Sequence, residues 1–239
     1  MTAPEGAPEA GGVVRRASTP AQAWAELAAG NARFVEGKHS HPNQDAARRH
    51  SLAHGQRPLA VFFGCADSRV AAEIIFDMGL GDLFVIRTAG HVVDTGVLGS
   101  LEFGVGVLDI PLIVILGHDS CGAVAATMEA VDNGVLPGGY IRDIVERVTP
   151  SVLTAHRAGL TSADEIETEH VRHTIRLLVE RSSLIADRIG SGRLAVVGAA
   201  YNLDEGRARV VDAVGDLGDL GDLGGGYPGG PDEGGAPRS

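Results

Sequence analysis

A chain of 239 residues is long enough to bury one sizeable core, and 44% apolar residues is ordinary for a globular protein. A net charge of −11 argues against nucleic acid or an anionic membrane surface as the main partner, and no stretch approaches the roughly 20 apolar residues of a membrane span. Met1 to Gly12 lacks the charged-then-apolar pattern of a signal peptide, and two cysteines are too few for a disulfide framework, so a reducing, cytoplasmic setting is expected.

Residues 1–17 are small, Pro- and Gly-containing and without periodicity, and read as a disordered segment before a single domain over 18–214. Thr19-Pro20-Ala21-Gln22 starts a helix, with Thr as N-cap, Pro at the first position and Gln at the capping-box position. That helix carries Trp24, Leu27 and Phe34 and stops near Gly37; the polar stretch 38–56 reads as loop or short helix. An apolar run at 59–64 predicts the first strand, followed by a Cys65 turn and a helix over 70–78. The second strand is 82–87, leading into Thr88-Ala89-Gly90-His91. Between Gly96 and Leu108 a helical stripe survives (Val97, Leu101, Val105, Leu108), so glycines 99, 104 and 106 predict close packing against the sheet. A third strand at 112–116 precedes a helix over 122–131, and further helices are expected over 140–157 and 163–189. Residues 194–198 form the fourth strand, and 208–211 hairpin back as an edge. From Asp216 the chain repeats Gly-Asp-Leu, too few times for a calcium-binding β-roll, and 215–239 read as a disordered acidic tail.

Alternating strands and helices predict an α/β fold: a central, mostly parallel sheet of four strands plus an antiparallel edge strand, flanked by helices, with an N-terminal helical arm. In the common doubly wound order, strands 2 and 3 flank strand 1, and ligands bind in the crevice beyond the carboxyl ends of strands 1 and 3. Cys65, His118 and Cys121 lie on the turns leaving those two strands.

Two thiolates and one imidazole make a zinc shell with one further position, catalytic if water or hydroxide fills it and closed if a fourth protein ligand does. Because two thiolates cancel the charge of Zn²⁺, bound water is acidified less readily than at a three-histidine site, and a nearby Arg69 would offset them. Arg69 can hold the Asp67 carboxylate in a fixed bidentate orientation, leaving Asp67 to accept a hydrogen and aim an oxygen lone pair at an electrophile. Alternatively, Asp67 releases Arg69 and becomes the fourth ligand. His91 is the one remaining histidine that can lie near the site, as a proton carrier. Histidines 39, 41, 50, 54, 156, 170 and 173 fall on polar stretches or helix faces and are expected to be exposed.

Cys65-Ala-Asp-Ser-Arg69, Arg87-Thr-Ala-Gly90 and Gly117-His-Asp-Ser-Cys-Gly-Ala123 resemble the signature blocks of the β-class carbonic anhydrases, over about residues 20–212. The resemblance implies one zinc per chain on Cys65, His118 and Cys121, an Asp67–Arg69 dyad, and reversible hydration of carbon dioxide to bicarbonate and a proton. It further implies a homodimer or dimer of dimers whose first helix embraces the partner. Gln56 matches a glutamine that donates to substrate across the dimer interface, and the Gly122 N–H matches a second donor at a helix N-terminus. In an inhibitory bicarbonate pocket of some members, Arg87 and Tyr201 stand at matching places, but the tryptophan place is Phe62, which has no indole N–H. Zinc hydrolases of the same fold acting on carbon disulfide or carbonyl sulfide, a non-catalytic zinc-binding domain, and an interaction protein working through its acidic tail are the competing readings.

Overall fold

A computed structural model describes residues 19–218. Helix α1 (Pro20–Val35) begins on Thr19, whose side chain accepts the Gln22 N–H at 3.2 Å. A short α2 (Ala46–Ser51) occupies the polar stretch, followed by β1 (Ala60–Cys65), a single turn α3 (Ala72–Ile75), β2 (Leu83–Thr88) and α4 (Thr95–Gly106). Then come β3 (Leu112–His118), α5 (Gly122–Asn133), α6 (Ile141–Arg157), α7 (Ala163–Arg181), α8 (Ser183–Gly190), β4 (Ala195–Tyr201) and β5 (Ala208–Val214).

The sheet runs β2-β1-β3-β4-β5, parallel but for the antiparallel β4–β5 pair. The four-plus-one expectation and the flanking of β1 by β2 and β3 both hold. Strands β1 and β3 are buried at every position, which is why their sequences read as unbroken apolar runs. Alternate residues of these strands feed two cores: Phe62, Val114 and Leu116 meet α1 on one face, while Val61, Phe63, Ile113 and Ile115 meet α4 and α7 on the other. Among the described residues no helix is long and apolar enough to cross a membrane.

Four expectations need correction. Helix 70–78 shrinks to the one turn of α3, because Asp77 turns to φ 47° and buries its carboxylate on the Ser40 and His41 N–H groups and Arg33 Nε. The helix expected over 163–189 breaks at Ser182, whose extended backbone ends α7 and whose hydroxyl caps α8 by accepting the Ile185 N–H. That hydroxyl also donates to Glu102 Oε1 at 2.6 Å, tying the break to α4. Close packing explains Gly104, where a Cβ would come within 2.6 Å of Val61, but Gly99 faces open space. Finally, Leu217, beyond the expected boundary at 214, is only 6% exposed and joins the α1-side core. Residues 1–17 and the tail from 219, where disorder is expected, lie outside the described residues.

Candidate metal centre

The sheet order delivers its two central turns to one place. Strand β1 ends on Cys65 and β3 on His118; the turn after β3, with Ser120 at φ 53°, then brings Cys121 round to cap α5. That turn is braced from three directions. The Asp119 carboxylate accepts the Leu203 N–H and the Asn202 side-chain amide, the Asp119 N–H donates to the Tyr201 carbonyl, and the Ser120 N–H donates to Asp164 Oδ1. The Cys65 turn is braced by Arg87, which donates to the Cys65 carbonyl at 2.9 Å and the Asp67 carbonyl at 2.6 Å.

The ligand atoms of Cys65, His118 and Cys121 all lie within 4.8 Å of one another, and all three residues are buried. Tetrahedral thiolate coordination puts ligand atoms about 3.8 Å apart, so little contraction is needed to close on an ion. His118 Nδ1 lies 2.8 Å from the Asp119 carbonyl, which can only accept; in the neutral ring the proton therefore sits on Nδ1 and Nε2 keeps its lone pair. Nε2 is buried without a hydrogen-bond partner. An orphaned imidazole nitrogen beside two buried sulfurs is what a metal ion would satisfy.

Electrostatics divide the two thiols. Cys65 is pulled down to about 4, chiefly because the Cys121 thiol donates to its sulfur; burial opposes this, and His118 and the Asp67 and Gly90 N–H groups reinforce it. Cys121 is pushed up for the reciprocal reason, with burial adding to it. Burial works against a charged His118, but the Cys65 thiolate beside it raises its pKa overall. Without metal the two sulfurs share one proton, which a cation would displace.

At the mouth, Arg69 donates from Nε to Asp67 Oδ1 and from Nη2 to Asp67 Oδ2, and this forked pair holds the carboxyl well below the usual range. Gly122 begins α5, and a Cβ there would meet nothing within 4 Å. Gln56 is exposed and lines, with Arg49, Leu52 and Gly81, a surface cavity of about 410 Å³ that no residue of the metal-binding group touches. Phe62 is buried against Phe76, and Tyr201 is buried at the end of β4.

His91 does lie beside the site, but it has no exposed surface, and burial first, then the neighbouring His170 and His118, lowers its pKa far below the ordinary value. It is neutral and sealed from solvent, which does not suit a carrier exchanging protons with water. His170, expected on an exposed face, is 3% exposed. Sequence reasoning also missed Glu167, which is buried on α7 and accepts the His118 N–H at 3.2 Å; Gly117 makes room for it, since a Cβ there would stand 2.6 Å from Glu167 Oε1. The signal was available: Glu167 and His170 fall on the buried stripe of Val171, Thr174 and Leu178.

The family model for carbonic anhydrase matches residues 60–208, which span both cysteine turns. The chain belongs to the carbonic anhydrase family. It is 58% identical over 200 residues to carbonic anhydrase 2 of Mycobacterium tuberculosis, covering 84% of this chain and 97% of that one. To the carbonic anhydrase of Mycolicibacterium smegmatis it is 56% identical with the same coverage. A tetrameric β-carbonic anhydrase of Sordaria macrospora superposes with a TM-score of 0.61 at 25% identity, over 68% of this chain and 84% of that one. The Coccomyxa β-carbonic anhydrase bound to acetazolamide gives 0.60 at 25% identity, over 80% and 83%. The resemblance in the signature blocks is therefore borne out at the level of family, class and fold, and the Cys-His-Cys group is positioned to bind a metal ion.

Proposed function

We propose that the protein catalyses the reversible hydration of carbon dioxide to bicarbonate and a proton, with one zinc ion per chain held by Cys65, His118 and Cys121. The observation that carries this reading is the buried Cys₂His donor cluster with its orphaned His118 Nε2, in a chain of this family. Two thiolates and an imidazole favour zinc among the common divalent ions. Such an ion supplies Lewis acidity that makes water nucleophilic near neutral pH.

The chain's own residues do the rest. Arg69 occupies both oxygens of Asp67 on one side and fixes the carboxylate plane. An ionised carboxylate is acceptor-only, so Asp67 accepts a hydrogen bond from the attacking water or hydroxide, without itself becoming protonated, and leaves an oxygen lone pair of that nucleophile aimed at the carbon. As the product gathers negative charge, the Gly122 N–H, at the start of α5 and so at the favourable end of a helix, is read as a donor to it. Gln56 is read as a second donor, delivered to the site of the neighbouring chain.

That role requires a dimer. Its support is an edge strand, β2, only partly buried, whose Phe84 stacks on exposed Phe103 of α4, with exposed Val107 at the C-cap of that helix, apolar surface of the kind a second copy covers. Pairing of dimers into tetramers belongs to the same reading, and the Sordaria macrospora protein is tetrameric. Both cysteines are free thiols, consistent with the cytoplasm.

Stopped-flow measurement on the zinc-loaded protein tests the assignment. Carbon dioxide hydration with no hydrolysis of carbon disulfide or carbonyl sulfide is expected; turnover of either sulfur compound without carbon dioxide hydration would overturn it.

A further inference from the structure

A buried chain of hydrogen bonds runs from helix α6 to one of the sulfurs. Ser151 on α6 and His170 on α7 pair at 2.8 Å through Ser151 Oγ and His170 Nδ1, and both are buried. His170 Nε2 lies 2.9 Å from the Gly90 carbonyl, and the Gly90 N–H donates to Cys65 Sγ at 3.3 Å. The carbonyl can only accept, so the proton of His170 sits on Nε2, and Nδ1 must accept the Ser151 hydroxyl. Every link thus has one direction, from hydroxyl to imidazole to Gly90. His170 holds this single tautomer because burial lowers its pKa to about 4, keeping the ring neutral.

Gly90 is built for the role. It sits at φ 63°, ψ 24° within the 3₁₀ turn Ala89–His91, and a Cβ there would collide with Ala123 Cβ at 2.6 Å. A left-handed glycine swings easily unless its flanking peptides are held. One flank is held by the sulfur and the other by His170, whose ring also packs at 4.3 Å on that of His91.

We propose that His170 and Ser151 are positioning residues of the metal centre: they fix Gly90 so that its N–H stays on the Cys65 sulfur, and thereby limit the negative charge this thiolate gives to the metal. A hydrogen bond to a ligand sulfur withdraws electron density from it, which keeps the metal a stronger Lewis acid. The effect matters here because two thiolates already neutralise a divalent ion. The proposal rests on the reading of Cys65, His118 and Cys121 as metal ligands, and the test separates the two.

Metal content comes first: a wild-type protein that takes up no zinc or cobalt defeats the ligand assignment itself. In metal-replete protein, His170→Leu should move the thiolate-to-cobalt charge-transfer band of the cobalt form to longer wavelength. It should also raise the pH midpoint of kcat by on the order of half a unit with KM unchanged. His170→Gln, whose amide N–H can still reach the Gly90 carbonyl, should restore both. Ser151→Ala should shift the band in the same direction by less, and it carries the test if His170→Leu does not fold. A cobalt band and pH midpoint identical to wild type in the folded variants would overturn the proposal, even if their melting temperatures fell.

Discussion

Arg69 reaches the two carboxylate oxygens of Asp67 separately, Nε on Oδ1 at 3.0 Å and Nη2 on Oδ2 at 2.7 Å. With its N–H also on Oδ1, at 2.9 Å, Arg69 fixes the carboxylate without covering it, and about a fifth of the Asp67 side chain still faces solvent. The first cause of its lowered pKa is the Arg69 side chain. A depressed carboxylate contributes its pairing above the ordinary value of about 3.9 and loses it as pH falls through the folded value, so the dyad stays intact across the neutral range. Arg69→Ala should free Asp67 to compete for the metal and move the activity profile to higher pH. Asp67→Asn should keep the metal yet lower kcat by about 100-fold, since an amide no longer orients the nucleophile. An asparagine variant with wild-type kcat would refute the role given to Asp67.

Gln56→Ala should leave zinc content unchanged and lower turnover on the order of 100-fold, as expected for loss of one donor to a developing anion. Mixed dimers pairing this variant with a Cys121→Ser chain should recover part of the activity, because one site then combines an intact metal centre with an intact glutamine. A fully active monomer in light scattering would contradict this.

Glu167 and His91 are close enough for an ion pair, with Glu167 Oε1 3.5 Å from His91 Nδ1, but burial drives both toward neutrality. Burial raises Glu167 from 4.5 to about 8. A raised carboxyl stabilises the fold fully below the unfolded pKa and loses that contribution as pH rises through the folded one. Unfolding of the metal-free protein should therefore become easier from about pH 4.5 to about pH 8, by about 1.4 kcal/mol per unit from this group. Glu167→Gln, which cannot ionise, should flatten that slope in urea titrations. Parallel curves for the two proteins would contradict the assignment of a buried neutral carboxyl.

Leu217 sets where the chain can be cut. A truncation after Gly218 should keep activity and melting temperature, whereas one after Gly215 removes a buried leucine and should lose about 2 kcal/mol. Equal stability of the two truncations would show that Leu217 contributes nothing.

The parts legible in the sequence were those governed by local pattern. The apolar runs before Cys65 and His118 announce strands buried on both faces, and the doubly wound order then brings their turns together, so the metal group follows from two short stretches. What escaped depends on the partner surface. His170 and Glu167 fall on the apolar stripe of α7, which hints at burial, but what they bond to appears only when α7 is laid against the carboxyl ends of the strands, where a backbone N–H and a glycine carbonyl await them. Ser182 interrupts a continuous helical pattern for the sake of a cap and a bond to Glu102, and only the cap is visible in sequence. Leu217 reads as part of a Gly-Asp-Leu repeat, yet β5 ends close enough to the α1-side core for that one leucine to be buried.

The most direct test of the central claim is carbon dioxide hydration by stopped flow before and after metal removal. Protein stripped with a zinc chelator should lose its activity and regain it on addition of one zinc ion per chain, while Cys65→Ser and Cys121→Ser protein should neither retain nor regain it. Undiminished hydration by metal-free protein, or a zinc-replete wild type that does not hydrate carbon dioxide, would contradict the account.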